Sequence, residues 1–327
     1  MSPNDGASRS TLCVVCPCYQ EADGIAAFHA ELAKVLDAMP DLACTVVYVD
    51  DGSTDATLAR LDALAAADPR VRVYALSRNF GHQVALTAGC DVADADAVVL
   101  MDSDLQHPPA LVPELVARWR AGADVVSALR RATADASPFK RASAAAFYGL
   151  INQLSDTHVV PGAADFVLLS RRAHAALKRM PERHRFLRGM VSWIGFRRDY
   201  VPFDAPARAA GRSSYTLARM QRLASDALFS FSTAPVRLAT RLGAAVVACG
   251  LLYLLYILAA VFVAPDRIVP GWTSLIIVVL ILSGVQILLI GLIGEYVARV
   301  FEESKGRPLY FFRHTPESPR KETRPSA

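Results

Sequence analysis

The chain has 327 residues, of which 53% are hydrophobic and only 20% are charged. Soluble domains average about 45–50% apolar and about 25% charged residues, so this composition excludes intrinsic disorder and is too apolar for an ordinary soluble protein. The formal net charge of +4 is small. It argues against a nucleic-acid partner, because nucleic-acid-binding proteins concentrate basic residues on one surface.

The N-terminal segment is polar, and no signal-peptide core follows it. We expect residues 1–10 to be disordered and the domain after them to be cytosolic. Cys13 and Cys16 form a CxxC pattern, but they lie inside an apolar run that reads as a strand. Residues three apart on a strand point to opposite faces, so we expect these thiols to be buried and inert.

Short apolar runs alternate with segments of helical spacing over the first 130 residues. Strands are predicted at 12–16, 44–49, 71–76, 97–101 and 124–129. Helices are predicted between them at 21–39, 55–67, 83–92 and 110–121, and Ser53 or Thr54 is expected to cap the second. The alternation predicts an α/β fold with a mostly parallel sheet, in which ligands bind at the carboxyl ends of the strands.

Polar clusters follow the first four predicted strands. They read PCYQE at 17–21, DDGS at 50–53, SRNFG at 77–81 and DSDLQ at 102–106. No GxGxxG and no P-loop opens a helix here, so bound phosphates would need another neutralising group. We expect these clusters to converge on one crevice.

Asp102 and Asp104 supply a route to such neutralisation. Two carboxylates at a strand end can hold a divalent cation that takes further oxygens from a diphosphate, and Gln106 can add a carbonyl. One alternative is a solvated turn before Pro108. Another is an aspartyl-nucleophile phosphatase, which also begins DxD but normally has Thr or Val where Gln106 stands.

The excess hydrophobicity lies near the C-terminus, in uncharged runs of 24 residues (242–265) and 27 residues (268–294). A membrane span needs about 20 apolar residues, so both runs are long enough, although a pair of buried core helices is the alternative. We expect a hairpin with spans at about 242–265 and 272–294. Its flanks carry more basic residues than its connector, which predicts that both termini are cytosolic.

Six segments then carry a family resemblance: VVCPCYQE, VYVDDGSTD, SRNFGHQ, MDSDLQHPP, ADFVLLSR and RFLRGMVSWIGFR. Their order resembles polyprenyl-phosphate glycosyltransferases, the dolichol-phosphate mannosyltransferase-like and bactoprenol glucosyltransferase-like members of glycosyltransferase family 2. The resemblance runs from about residue 12 to 308. It implies a GT-A fold, a Rossmann-like and mostly parallel sheet, with a C-terminal two-helix transmembrane hairpin.

The resemblance also implies site residues. The nucleotide sugar, with a UDP-sugar favoured, would be bound by Pro17, Tyr19, Glu21, Asp50, Asp51, Ser53, Arg78, Asn79, Asp102 and Ser103. Mg²⁺ or Mn²⁺ would be held by Asp102, Asp104 and Gln106. Asp165 matches the residue usually given the general-base role. A phosphate acceptor is largely dianionic at pH 7, so Asp165 is equally a candidate for orienting the acceptor or stabilising positive charge on the sugar carbon.

An anionic acceptor also needs cations near the membrane. The acceptor phosphate is predicted to meet Arg130, Lys140, Arg141, Arg185 and Arg188. Segments 139–154 and 215–231 have the spacing of interfacial helices. We expect a catalytic domain at 11–212, an interfacial region at 213–238, a hairpin at 239–297 and a cytosolic tail at 298–327.

The implied reaction is inverting transfer of a sugar to undecaprenyl phosphate at the bacterial inner (plasma) membrane, with UDP-glucose favoured as donor. A homo-oligomer, with a tetramer suggested by resemblance, is expected. Three departures leave the sugar open, because such side chains read its hydroxyls: Gln20 replaces Asn, Val167 replaces Arg and Arg212 replaces Glu. UDP-aminoarabinose-type, UDP-GlcNAc/GalNAc-type and GDP-mannose donors are the alternatives.

The sequence also bears on two other classes of function. A non-catalytic nucleotide-sugar-binding protein would not need both Asp102 and Asp104. A channel or transporter would be expected to place ionisable residues inside its spans, and these runs contain none. Both classes are therefore disfavoured.

Overall fold

A computed structural model of the chain describes residues 9–130, 163–183, 185–204 and 271–316, with isolated positions between 239 and 255. The described residues divide into two compact units. One holds the sheet and includes the chain from residue 307 onward, and the other holds the long C-terminal helix. The predicted interfacial stretches and most of the first predicted span lie outside the described residues.

The sheet unit contains eight strands. These are β1 Ser10–Cys18, β2 Leu42–Asp50, β3 Val71–Leu76, β4 Ala97–Leu100, β5 Val125–Arg130, β6 Ala163–Ser170, β7 Arg198–Phe203 and β8 Phe312–His314. Its helices are α1 Ile25–Asp37, α2 Thr57–Ala67, α3 His82–Val92, α4 Val112–Arg120, α5 Arg171–Lys178 and α6 Leu187–Trp193. A 3₁₀ turn at Pro109–Leu111 leads into α4.

The sheet has the order β7-β5-β6-β4-β1-β2-β3-β8. Strands β1 to β4 run parallel to their neighbours among themselves. By contrast, β6 lies antiparallel to β4 and β5, and β8 lies antiparallel to β3. The predicted α/β fold with a mostly parallel sheet is therefore confirmed.

Strand β1 forms the centre of the core. Every residue from Leu12 to Cys18 is buried, as expected for a parallel strand covered by helices on both faces. Cys13 and Cys16 are free and buried, which confirms their predicted burial, and Cys18 is also free and buried. Burial raises the pKa of Cys13 to about 12, so this thiol stays protonated at neutral pH.

The predicted cap of α2 was wrong. The helix begins at Thr57, and its N-cap residue is Ala56, whose side chain cannot cap a backbone amide. The Ser53 hydroxyl instead accepts from the Gln20 amide at 3.1 Å, which ties the loop after β2 to the loop after β1. The first-turn amide of Thr57 donates to the Asp55 carboxylate at 3.0 Å. The hydroxyl expected to cap a helix is therefore used to join two loops.

The helix α7, Trp272–Ser304, contains the second predicted span. Its segment Leu282–Ser304 is long and apolar enough to cross a membrane by length and composition, with 23 residues and a mean hydropathy of 1.6. Leu275, Ile287 and Ile290 are among its exposed apolar side chains. Such a surface calls for a lipid or protein covering.

Strand β8 follows α7 and was not foreseen, since no secondary structure was predicted for residues 298–327. The Ser77 amide donates to the Phe311 carbonyl at 2.8 Å. The Phe312 ring packs on Tyr74 with centroids 5.3 Å apart. These contacts make the segment after α7 an integral edge of the sheet.

The close approach of α3 to β1 gives a prediction about stability. A Cβ at Gly89 would lie 2.2 Å from Val15 Cγ1 and 3.2 Å from Val49 Cγ2. We expect Gly89→Ala to destabilise the protein by about 1–3 kcal/mol through overpacking. Chemical denaturation of the full chain in detergent measures this loss.

A double-variant cycle with Val15→Ala is the control. Removing the Val15 methyl groups makes room for the new Cβ, so the double variant should be more stable than the sum of the two single losses. Strict additivity would show that this contact does not limit the packing of α3.

Candidate active site

The polar clusters meet at the carboxyl edge of the central strands, as predicted from their positions. The Asp51 amide donates to the Cys18 carbonyl at 2.8 Å, which joins the end of β2 to the end of β1. On the other side of β1, the Ser103 hydroxyl donates to the Pro17 carbonyl at 3.0 Å. The loops after β1, β2 and β4 therefore form one continuous surface, with Pro17 and Ser103 buried beneath it.

The loop after β2 is fixed by its own carboxylates. Asp51 accepts from the amides of Phe80 and Gly81 at 2.7 and 2.9 Å, so it holds the loop after β3 in place. Gly52 between these loops has a φ of +68°, and a Cβ there would lie 2.3 Å from the Arg78 carbonyl carbon. Only glycine fits this approach. Asp51 is 2% exposed, which makes it a buried organiser of the loops.

Asp50 is also fully buried. Both of its carboxylate oxygens accept from the Ser53 amide, at 3.2 and 3.3 Å. Burial raises the pKa of Asp50, although the bonds from Ser53 offset part of that increase. The two aspartates predicted to cradle a nucleoside are thus both withdrawn from solvent in the structure.

Other residues predicted to bind the nucleotide are more accessible to solvent than these two aspartates. Tyr19 is 46% exposed, and Arg78 and Asn79 are exposed on the loop after β3. Arg78 already donates to the Asn79 carbonyl at 3.0 Å, and its guanidinium lies 4.0 Å from the centre of the Phe80 ring. The cation predicted to lie beside the base or ribose is therefore folded against its own loop.

Glu21 lies in the loop after β1, following Gln20, whose φ of +58° is uncommon for a residue with a Cβ. Burial raises the pKa of Glu21 to about 7, and the charges of Asp104 and Asp102 add to that increase. A carboxyl group with such a pKa gains from a nearby cation, because a cation stabilises its ionised form.

The aspartate pair after β4 has an unusual environment. The Asp102 amide donates to His107 Nδ1 at 3.0 Å, so this nitrogen is an acceptor, and the His107 ring stacks on Phe166. Asp102 Oδ1 is buried and accepts no hydrogen bond within the described residues, although His82 Nε2 lies 3.3 Å away. Burial raises the pKa of Asp102, and the neighbouring histidines oppose that increase.

Asp104 is exposed and accepts from both the amide and the side chain of Gln106, at 3.0 and 2.8 Å. Leu105 between them has a φ of +61°. Strained backbone of this kind clusters at binding sites. Gln106 thus supports Asp104 through its nitrogen atoms.

These residues fit a divalent cation. Asp102 offers a buried carboxylate oxygen that accepts no hydrogen bond within the described residues, and the exposed carboxylate of Asp104 follows two residues later. Such a pair can bind Mg²⁺, which takes one or two carboxylates together with water and phosphate oxygens. Within the described ranges no group of three or more His, Cys, Asp or Glu side chains is arranged to hold a metal. A cation held by two carboxylates would take further oxygens from water and phosphate.

Asp165 on β6 is held by a bidentate ion pair. Arg188 on α6 donates to its two carboxylate oxygens at 2.7 and 2.9 Å, and Gln83 donates at 3.3 Å. Burial raises the pKa of Asp165, but the Arg188 guanidinium outweighs burial and holds that pKa below its ordinary value. A carboxylate with a lowered pKa is a weak proton acceptor. It is better suited to holding the Arg188 guanidinium in a fixed position.

The predicted acceptor-binding cations are only partly brought together. Arg188 reaches the site through Asp165, whereas Arg185 donates to the carbonyls of Glu182 and Met180 at 3.1 and 2.8 Å. Arg130 is exposed at the end of β5. Lys140 and Arg141 lie outside the described residues.

Two histidines and a glutamine of the site were missed as functional candidates. His82 and Gln83 open α3, directly after a polar cluster, and His107 follows the DSDLQ cluster. His82 Nε2 lies 3.3 Å from Asp102 and 3.9 Å from Asp165, so it stands between the two carboxylates. All three residues lie within the family-like segments SRNFGHQ and MDSDLQHPP, so their place in the sequence indicates a role at the site.

Comparison with known proteins adds to this geometry. The family described as "Glycosyl transferase family 2" matches residues 13–177, and "GtrB C-terminal hairpin" matches residues 234–300. The chain is 37% identical to the uncharacterized glycosyltransferase YkcC of Bacillus subtilis, over 91% of each protein. It is 37% identical to the bactoprenol glucosyl transferase of Shigella phage SfV, over 92% of this chain and 97% of that protein.

Among solved structures, glucosyl-3-phosphoglycerate synthase from Mycobacterium tuberculosis, crystallised with Mn²⁺, UDP-glucose and phosphoglyceric acid, is similar with a TM-score of 0.45. It is 19% identical, and the match covers 67% of this chain and 78% of that chain. The sequence relatives cover the sheet unit and the hairpin together, which confirms the family resemblance drawn from the motifs. The chain is a glycosyltransferase and belongs to glycosyl transferase family 2.

Proposed function

We propose that the chain transfers a sugar, with glucose from UDP-glucose favoured, to a polyprenyl phosphate such as undecaprenyl phosphate. The observation that carries the proposal is the placement of His82 between Asp102 and Asp165, at 3.3 and 3.9 Å. The aspartate suited to a diphosphate thus adjoins the aspartate–arginine pair suited to an acceptor. The lipid acceptor is supported by relatives named bactoprenol glucosyl transferase, which match 92% of this chain.

The proposed reaction is a single displacement. An oxygen of the acceptor phosphate attacks the anomeric carbon, the bond from that carbon to the nucleoside diphosphate breaks, and the configuration inverts. A phosphate monoester has a second pKa near 6, so at pH 7 it is largely deprotonated and needs little help from a base. A cation held by Asp102 and Asp104 would offset the charge of the departing diphosphate.

In this proposal Asp165 acts electrostatically, through its charge. Its lowered pKa keeps it ionised at neutral pH, and its two oxygens orient the Arg188 guanidinium. A guanidinium fixed in this way suits a phosphate, because its planar N–H groups match phosphate oxygens. We infer that Asp165 positions Arg188 for the acceptor instead of removing a proton.

The membrane setting is part of the same proposal. The match to a C-terminal hairpin at 234–300 and the exposed apolar surface of α7 support membrane association. We propose a multi-pass protein of the bacterial plasma membrane, with the catalytic domain and both termini cytosolic, because basic residues flank the spans. The proposed homo-oligomer rests on the family resemblance alone.

The reaction is tested by radiolabelled transfer from UDP- and GDP-sugars to undecaprenyl phosphate. We expect lipid-extractable product from UDP-glucose, loss of product in EDTA and recovery with Mg²⁺ or Mn²⁺. A product that forms undiminished in EDTA would refute the metal assignment. Absence of product from every donor would refute the enzymatic proposal as a whole.

Asp165→Asn separates catalysis from donor binding. Loss of the negative charge removes the bidentate ion pair that orients Arg188, so we expect turnover to fall about 10²-fold or more, while UDP affinity by calorimetry changes less than about twofold. Asp199→Asn is the matched control, since Asp199 lies on β7 and pairs at 3.0 Å with the half-buried Arg118 of α4. It should retain turnover. Equal loss of UDP affinity in Asp165→Asn would contradict the positioning role.

The raised pKa of Glu21 predicts a pH-dependent stability. The folded protein binds this proton up to about pH 7, whereas the unfolded chain releases it near pH 4.5. Stability contributed by protonated Glu21 is therefore lost as the pH rises between these values. Gln cannot ionise. In metal-free buffer, we therefore expect the melting temperature of Glu21→Gln to rise relative to that of the original protein as the pH increases from 5 to 8. Parallel pH profiles of the two proteins would contradict this.

A further inference from the structure

The C-terminal strand brings a cation to the proposed nucleotide site. Arg313 lies on β8, and its Nη2 atom is 4.0 Å from Asp50 Oδ2. The Asp50 side chain has no exposed surface, whereas the Arg313 side chain is 51% exposed. The Arg313 side chain donates no hydrogen bond to another residue in the described part of the chain. It therefore presents a guanidinium to solvent that is backed by a buried carboxylate.

The strand holds Arg313 in a defined place. On one side of it, the Tyr310 hydroxyl donates to Asp91 at 2.9 Å, and the Phe312 ring packs on both Tyr310 and Tyr74. His314 pairs with Ala75 in the ladder to β3. Arg313 is thus anchored by its neighbours on both sides, in contrast to an arginine on a loose tail.

The order of strands indicates which part of a donor Arg313 can reach. The strand β4, which leads to the Asp102–Asp104 pair, is two positions from β2 and four positions from β8. With strands about 4.8 Å apart, these separations are roughly 10 and 19 Å. The Arg313 guanidinium lies beside Asp50 at the end of β2, so about 10 Å separates it from the end of β4. That is too far for a hydrogen bond to a diphosphate at the aspartate pair, and the nucleoside is the part of the donor within its reach.

We infer that Arg313 is a nucleoside-binding residue, which donates hydrogen bonds to the carbonyl oxygens of the base. Asp50 positions its guanidinium from beneath. The inference rests on the proposed nucleotide-sugar donor and adds a residue to it. Arg78, the cation expected beside the base, already donates to Asn79 and stacks on Phe80, so it does not fill this role in the structure.

The test is calorimetric binding of UDP and UMP to the full chain in detergent. We expect Arg313→Ala to lower the affinity for UDP and the affinity for UMP by a similar factor of about tenfold, because both nucleotides carry the same base. Arg72→Ala is the matched control. Arg72 is an exposed arginine of the neighbouring strand β3 that donates to the carbonyls of Pro69 and Val71, and its variant should bind within about twofold of the original.

The outcomes separate this inference from the proposed function. If the original protein binds neither UDP nor UMP, the proposed nucleotide donor fails. If it binds them and a folded Arg313→Ala binds equally well, the inference fails. Loss of affinity for UDP alone would place Arg313 at the diphosphate and also overturn it.

Folding is checked by the melting temperature without nucleotide. If Arg313→Ala melts early, Arg313→Lys keeps the positive charge and the strand but loses the planar donors. We then expect UDP and UMP to bind Arg313→Lys more weakly than the original protein, and affinity equal to the original would overturn the inference.

Discussion

The burial of several carboxylates side by side at one edge of the sheet is the constraint that the rest of the site depends on. Removing a carboxylate from water costs several kcal/mol unless it is paired or hydrogen-bonded. Two backbone amides offset part of the increase that burial causes in the pKa of Asp51, whereas Arg188 brings the pKa of Asp165 below its ordinary value. Asp102 and Glu21 are left without full compensation, which is why their pKa values are raised. The site is therefore arranged to gain stability from a cation.

This arrangement explains why so much of the local backbone is specialised. The tight approach at Gly52 lets Asp51 reach the loop after β3. The left-handed conformations of Gln20 and Leu105 turn the chain beside Glu21 and Asp104. Each of these costs conformational energy that the surrounding hydrogen bonds offset. The strained residues lie in the loops that carry the carboxylates, and the strands beneath them are regular.

The sequence predicted the features that depend on local pattern. Apolar runs such as 97–101 became strands close to the predicted positions, because a strand covered on both faces leaves an uninterrupted apolar signal. The convergence of Asp50 and Asp102 followed from the rule for parallel strands. The Ser53 cap failed because a hydroxyl can also bond across loops, as it does to Gln20. Local pattern carries no information about that choice.

Contacts between residues far apart in the chain could also not be predicted from the sequence. Arg188 was expected to face an acceptor, and its bond to Asp165 depends on how α6 packs on β6. Strand β8 has three residues and pairs with a strand far earlier in the chain. A segment this short has no periodicity to detect. Arg313 could therefore be recognised as a neighbour of Asp50 only from the folded chain.

The chemistry of Asp165 bears on the class of acceptor. A sugar hydroxyl keeps its proton at pH 7, so an enzyme that glycosylates a hydroxyl benefits from a base whose pKa lies near the working pH. Asp165 has the opposite property, because Arg188 holds its pKa below the ordinary value and occupies both of its oxygens. A phosphate acceptor has already lost its proton and needs positive charge to hold it. The pair supplies a fixed guanidinium, which suits an acceptor phosphate better than an acceptor hydroxyl.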